Sequence, residues 1–183
     1  MKKLNMSAPA SNPSGNDNAR WCSHNPALEV VRLSPRWQEG LKLFFQALRE
    51  NGDAGLFCPH PTDDKTINQL AHYTGRDLYY VLVEDENVLG YGLLRGWDEG
   101  YQIPSLGLAI HPSARDHGLG KMFINFLHML ASRMGATKVR LRVMKNNRKA
   151  MRLYERCGYV FQEDSKQPEY WVGFCDVVRD GER

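Results

Sequence analysis

The residues best suited to chemistry lie between positions 115 and 121, which read Arg-Asp-His-Gly-Leu-Gly-Lys. They follow the apolar run Leu106-Gly107-Leu108-Ala109-Ile110 and precede a long amphipathic segment, the pattern of a strand, a tight turn and a helix start. A helix N-terminus leaves backbone N–H groups unpaired, and the macrodipole adds partial positive charge. Gly118 and Gly120 lack a Cβ, so a ligand can approach the backbone closely. Arg115, His117, Gly118, Leu119, Gly120 and Lys121 together form a candidate phosphate or pyrophosphate site.

Spacing separates the glycine motifs that could explain this run. A P-loop needs Gly, four residues, then Gly-Lys-Ser/Thr, but Arg115 stands at the first Gly and Met122 at the Ser/Thr. A dinucleotide fingerprint needs a third Gly where Phe123 stands, and a carboxylate about 20 residues on. Leu141 to Val143 offers none. What remains is Arg-x-x-Gly-x-Gly. Downstream, Asn147-Arg148-Lys149-Ala150-Met151-Arg152-Leu153-Tyr154 leads into Cys157-Gly158-Tyr159, with one amphipathic helix and one alternating strand between the two motifs. This pair of motifs resembles the GNAT superfamily of acyl-CoA-dependent N-acyltransferases, over roughly Leu78 to Val177.

The resemblance implies acetyl-CoA as co-substrate, lying between the strand Ile103–His111 and the strand Lys138–Val143. Its pantetheine arm would pair with backbone groups of Leu108 and Ile110 like an added strand. The Leu108 N–H is then the expected oxyanion donor. Both residues can equally be core, since side chains pack while the backbone binds. Tyr154 is the expected general acid for the leaving thiolate, because a phenol with a pKa near 10 can protonate it. A tyrosine on a helix beside a core is also an ordinary packing residue. Asn147 should bond the pantetheine or the local backbone, and Arg115, Lys121, Arg148 and Lys149 are candidate phosphate partners or plain surface charge.

Some relatives place a Glu near the start of the fourth strand, where this chain has Pro104. Asp98, Glu99 and His111 are the substitutes for the general base, with Glu99 preferred, or a water chain takes the proton. The acceptor site is expected from Phe57, His60 and Asp63 on one loop and Trp97, Asp98, Glu99 and Tyr101 on another. Carboxylates among aromatics suit a cationic amine or an amino sugar. The expected activity is acetyl transfer to a small primary amine, with an amino sugar ahead of a polyamine or amino acid. The alternatives are a non-catalytic acyl-CoA-binding module and a protein or peptide N-terminal acetyltransferase.

These residues need elements to position them. Leu28–Leu33 reads as a strand, Ser34-Pro35 as a helix start, and Trp37, Leu41, Phe44, Phe45 and Leu48 fall at helical spacing before Asn51-Gly52. A second helix is predicted over Thr66–Tyr73 and a hairpin over Leu78–Glu84 and Val88–Arg95. Leu119, Met122, Phe123, Phe126, Leu127, Leu130 and Met134 mark one face of the next helix. Val139, Leu141 and Val143 alternate with Lys138, Arg140 and Arg142, a strand with one buried and one wet face. A helix over Asn147–Cys157 and strands over Tyr159–Glu163 and Tyr170–Val177 follow. The prediction is a mixed α/β sheet of about seven strands with four helices, the GNAT-like fold. It forms one domain over 26–183 after a disordered tail over 1–25.

Composition narrows the class further. At 183 residues and 42% hydrophobic the chain can bury one sizeable core, and a net charge of +3 gives no argument for nucleic acid. Cys22, Cys58, Cys157 and Cys175 have no zinc or disulfide-framework spacing, so no metal is expected. No apolar run reaches the ~20 residues of a membrane span, and the N-terminus carries no secretory h-region. A cytoplasmic monomer or homodimer that does not bind membranes is the expectation.

Overall fold

The computed structural model describes residues 27–53, 55–57 and 59–177. The expected tail over residues 1–25, together with Cys22 and Cys58, lies outside the described residues. The elements are β1 (Leu28–Arg32), α1 (Gln38–Glu50), α2 (Asp64–Ala71), β2 (Leu78–Glu84), β3 (Asn87–Arg95), β4 (Ser105–Ile110), α3 (Leu119–Arg133), β5 (Lys138–Met144), α4 (Arg148–Arg156), β6 (Val160–Glu163) and β7 (Tyr170–Asp176). The expected mixed α/β sheet with four helices is therefore present.

The seven strands form one sheet in the order β1-β2-β3-β4-β5-β7-β6. Every neighbouring pair is antiparallel except β4 and β5, which are joined through α3 and run parallel. Alternation of side chains splits the strands between two cores. On one face, Leu78 and Leu82 of β2, Leu94 of β3, Leu106 and Leu108 of β4, and Val139, Leu141 and Val143 of β5 pack with Phe123, Ile124 and Leu127 of α3 and Tyr154 of α4. On the other, Tyr79, Val81 and Val83 of β2 and Tyr91 and Leu93 of β3 pack with Leu41, Phe44, Phe45 and Leu48 of α1 and Ile67 of α2.

Several boundaries differ from the sequence prediction for local reasons. α2 starts earlier because the Asp63 side chain accepts from the Thr66 N–H, a cap that pulls Asp64 and Lys65 into the helix. β4 spans less than Ile103–His111, and His111 instead caps the short turn Pro112–Ala114 by accepting from the Ser113 N–H. The buried stripe of α3 runs through Phe123, Ile124, Leu127 and Ala131, while Met122 and Met134 are exposed. The stripe is rotated because Ile124 and Ala131, not the two methionines, face the sheet.

Candidate functional site

β4 and β5 pair only at Ser105 opposite Arg140, with the Arg140 N–H donating to the Pro104 carbonyl at 2.9 Å. Beyond that point the strands part and leave one edge of β4 open. The register with β3 decides which groups face the opening. The His111 N–H donates to the Leu89 carbonyl, so the hydrogen-bonded pairs along β3 and β4 include Tyr91 with Ala109 and Leu93 with Gly107. Antiparallel ladders alternate, so Leu106, Leu108 and Ile110 turn their N–H and C=O groups away from β3 and toward β5. The Leu106 N–H is taken up by the bridge to Arg140. The Leu108 N–H and C=O and the Ile110 N–H have no strand partner among the described residues. This is the shape and polarity of a slot for an extended, amide-bearing chain.

At the upper end of the slot β4 leads into α3 through a strained turn. Asp116 and Gly118 both have positive φ, 67° and 81°, and Gly118 is the N-cap of α3 with no side-chain cap. The Met122 N–H makes the first intrahelical bond, to the Gly118 carbonyl, so the N–H groups of Leu119, Gly120 and Lys121 are left over. A Cβ on Gly118 would meet nothing within 4 Å, whereas one on Gly120 would stand 3.0 Å from Leu153 Cδ2. Gly118 thus keeps the approach clear, and Gly120 lets α3 pack against α4. An uncapped helix start beside an open strand edge fits a pyrophosphate followed by a pantetheine chain.

The side chains around the turn divide into holders and free cations. Arg115 donates through Nε to the Ile110 carbonyl at 3.0 Å and through a terminal nitrogen to Asp53 Oδ2 at 2.6 Å, which ties the turn to the end of α1. Burial would raise the Asp53 carboxyl, but hydrogen bonds from Arg115 and Asn51 and the charges of Arg115 and Lys149 hold it below its usual value. His117 donates through Nδ1 to the Arg115 carbonyl at 2.8 Å. Lys149 pairs with Asp116 at 2.8 Å, and Asn147 caps α4 by accepting from the Ala150 N–H at 3.1 Å. Lys121 and Arg148 are exposed. Tyr154 is buried on α4 with its ring 5.6 Å from that of Tyr159, and burial pushes its phenol well up.

The two expected acceptor loops are anchored in different cores, and the Pro59 carbonyl of the first accepts from Arg95 at the end of β3, just ahead of the second. Phe57 and His60 lie on the α1/α2 face, where Phe45, Leu48, Arg49, Phe57, His60, Pro61 and Thr62 line a cavity of about 410 Å3. His60 is held at both nitrogens. Its Nδ1 bonds the Pro61 carbonyl and so carries the proton, and its Nε2 accepts from the buried Tyr91 hydroxyl at 2.9 Å. Trp97, by contrast, is buried in the α3/α4 core, with its N–H and that of Gly96 both donating to buried Asp77 at 2.9 Å. Asp98 accepts from the Arg76 N–H, Asp63 caps α2, and Glu99 and Tyr101 are exposed on the turn between β3 and β4. Among the described residues no carboxylate lines the cavity.

Arg95, Arg140, Asp77 and Asp53 were not singled out from the sequence. The available signal was the charge alternating along β5, which puts Arg140 on the strand's wet face, and the arginine that ends β3. Among the described residues no group of three or more His, Cys, Asp or Glu could hold a metal ion, and no helix is long and apolar enough to cross a membrane.

Comparison with known proteins bears on this geometry. The model of the acetyltransferase (GNAT) family matches residues 37–159. No curated protein sequence matches. Among solved structures, the PaiA N-acetyltransferase from Thermoplasma acidophilum in complex with coenzyme A superposes with a TM-score of 0.69 at 15% identity, covering 82% of this chain and 99% of that one. The GNAT domain of S. lividans PAT gives a TM-score of 0.72 at 11% identity, covering 82% of this chain and 90% of that one. The ribosomal-protein-S18-alanine N-acetyltransferase of Escherichia coli gives 0.63 at 16% identity, covering 86% and 98%. At these identities the likeness is one of fold.

Proposed function

The chain belongs to the GNAT acetyltransferase family, and from that premise we propose that it transfers the acetyl group of acetyl-CoA to the primary amine of a small molecule, in one ternary complex. The observation that carries the reading is the open edge of β4 beside the uncapped start of α3. In this reading the N–H groups of Leu119, Gly120 and Lys121 hold the pyrophosphate. The Ile110 N–H and the Leu108 carbonyl pair with the pantetheine, and the Leu108 N–H bonds the thioester oxygen as negative charge develops on it. The amine lone pair attacks the carbonyl carbon, the C–S bond breaks, and the thiolate takes its proton from Tyr154. The amine's own surplus proton goes to solvent or to Glu99, the exposed carboxylate of the β3–β4 turn.

The roles of Arg115, Asn147 and His117 are positioning roles here, because each already has a protein partner. A small acceptor is supported by the half-open cavity that Phe57 and His60 help to line, whose volume of about 410 Å3 is that of a small-molecule site. Amino sugars, amino acids and polyamines are the classes to test, and a peptide N-terminus is the competing acceptor. We place the enzyme in the cytoplasm, a reading supported by the free thiols of Cys157 and Cys175. The test is thiol release from acetyl-CoA across an amine panel. Release that depends on the amine supports the proposal, and tight CoA binding with no release from any amine or peptide refutes it.

A further inference from the structure

The register across three strands sets Arg95 opposite Ser105 and Ser105 opposite Arg140. Residues paired in this way share one face of the sheet. Leu94, Leu106 and Val139 belong to the α3/α4 core, so the three polar residues point to the other face. Strands lie about 4.8 Å apart, which puts the two arginines roughly 10 Å apart at Cα, on either side of Ser105. This row lies at the closed end of the slot, three residues along β4 from Leu108 and therefore next to where the acetyl group would be delivered.

Both guanidiniums are partly buried, and in each the Nε is shut off from solvent with no hydrogen-bond partner. They are the two such side-chain atoms among the described residues. Arg95 uses one terminal nitrogen on the Pro59 carbonyl at 2.8 Å. No hydrogen bond joins the Arg140 side chain to any described residue. Buried donors in native proteins are normally satisfied, and a guanidinium's donor fork matches a carboxylate or phosphate. The nearby acid, Asp164, is already bonded by Arg142 Nε at 3.0 Å and by the N–H groups of Lys166 and Gln167. Phe174, opposite Arg140, adds an apolar neighbour on the same face.

We propose that the acceptor is a small amine carrying an oxyanion, a carboxylate or a phosphate, and that Arg95 and Arg140 hold that group. The inference deepens the transferase reading and rests on it. Two cations beside the incoming ammonium also favour its loss of a proton, which lessens the demand on any general base. The same field repels a polyamine.

The test is thiol release by the full chain with matched acceptors: an amino acid, its C-terminal amide, an amino-sugar phosphate, the unphosphorylated amino sugar, and spermidine. We expect kcat/KM to favour an anionic member over its neutral partner by about 10- to 100-fold, the value of one or two charged hydrogen bonds. The carboxylate and phosphate arms decide which oxyanion fits. Arg140→Met should raise KM for the anionic acceptor and erase most of that preference, with acetyl-CoA affinity unchanged. Arg95→Met should do the same, and Arg140→Met guards against the case in which losing the Pro59 bond unfolds the loop. Release that is equal or faster with the amide, the neutral sugar or spermidine overturns this inference and leaves the transferase reading standing. No release with any acceptor overturns both.

Discussion

Ser105 stands opposite Arg140, and that single pair is the whole parallel ladder between β4 and β5. Had the ladder continued, Leu108 and Ile110 would have spent their amide groups on β5. Because it stops, the same sequence that builds a core strand also presents an unpaired edge. Function in this fold starts from an interruption of secondary structure.

The Leu108 N–H can be removed without breaking the sheet. It faces away from β3, so Leu108→Pro deletes the proposed oxyanion donor and no ladder bond. We expect kcat to fall by about 10²–10³. Leu108→Val, which keeps the N–H and trims the side chain, should stay near wild type. Equal rates in the two folded variants would end the donor assignment.

Gly118 and Gly120 should fail in different ways. A residue with a Cβ at Gly118 meets no neighbour but must adopt φ of 81°, at a cost of about 1–2 kcal/mol. Gly118→Glu should keep the fold and weaken acetyl-CoA binding by about tenfold or more, 1.4 kcal/mol or above in calorimetry. Gly120→Ala presses on Leu153 and should chiefly lower the melting temperature. Unchanged affinity in Gly118→Glu would move the pyrophosphate elsewhere.

Tyr154→Phe should lower kcat with acetyl-CoA affinity intact, because the buried ring still packs against Tyr159. General acid catalysis is worth about 10²–10⁴-fold, and the low end is expected since water can reprotonate a thiolate. Burial raises the phenol's pKa, so the acid form persists through alkaline conditions. The wild-type rate should therefore show no decline from Tyr154 ionisation between about pH 8 and 10, a window in which an unperturbed tyrosine with a pKa near 10 would lose up to about half of its acid form. A kcat within about twofold of wild type in Tyr154→Phe would make the residue structural.

The Arg115–Asp53 pair gives a pH signature. The Asp53 carboxyl sits below its usual value, so its contribution to stability is full above the unfolded-state pKa of about 3.9 and is lost as pH falls through the folded value. Asp53→Asn should destabilise by about 1 kcal/mol at neutral pH, a charged hydrogen bond discounted for its partial exposure. The difference from wild type in urea unfolding should close below about pH 4. A gap that persists in acid would mean the pair acts through packing alone.

The sequence by itself determined the order of elements, because each strand and helix is written in local periodicity and punctuation. Gly118-x-Gly120 after an apolar run and Asn147 ahead of Leu153-Tyr154 also mark the starts of α3 and α4. Local rules reach only a turn or two along the chain. Tertiary structure decided the rest. Asp63 and Asp98 were expected at the acceptor site, and in the fold Asp63 caps α2, Asp98 accepts from the Arg76 N–H, and the Trp97 backbone N–H donates to buried Asp77. Arg115 reaches across 62 residues to Asp53, a partner no spacing rule could supply. Arg95 and Arg140 stand 45 residues apart along the chain. They become neighbours of Ser105 only when β3, β4 and β5 are laid side by side, because strand register is set by the packing of whole faces and not by the residues of one strand.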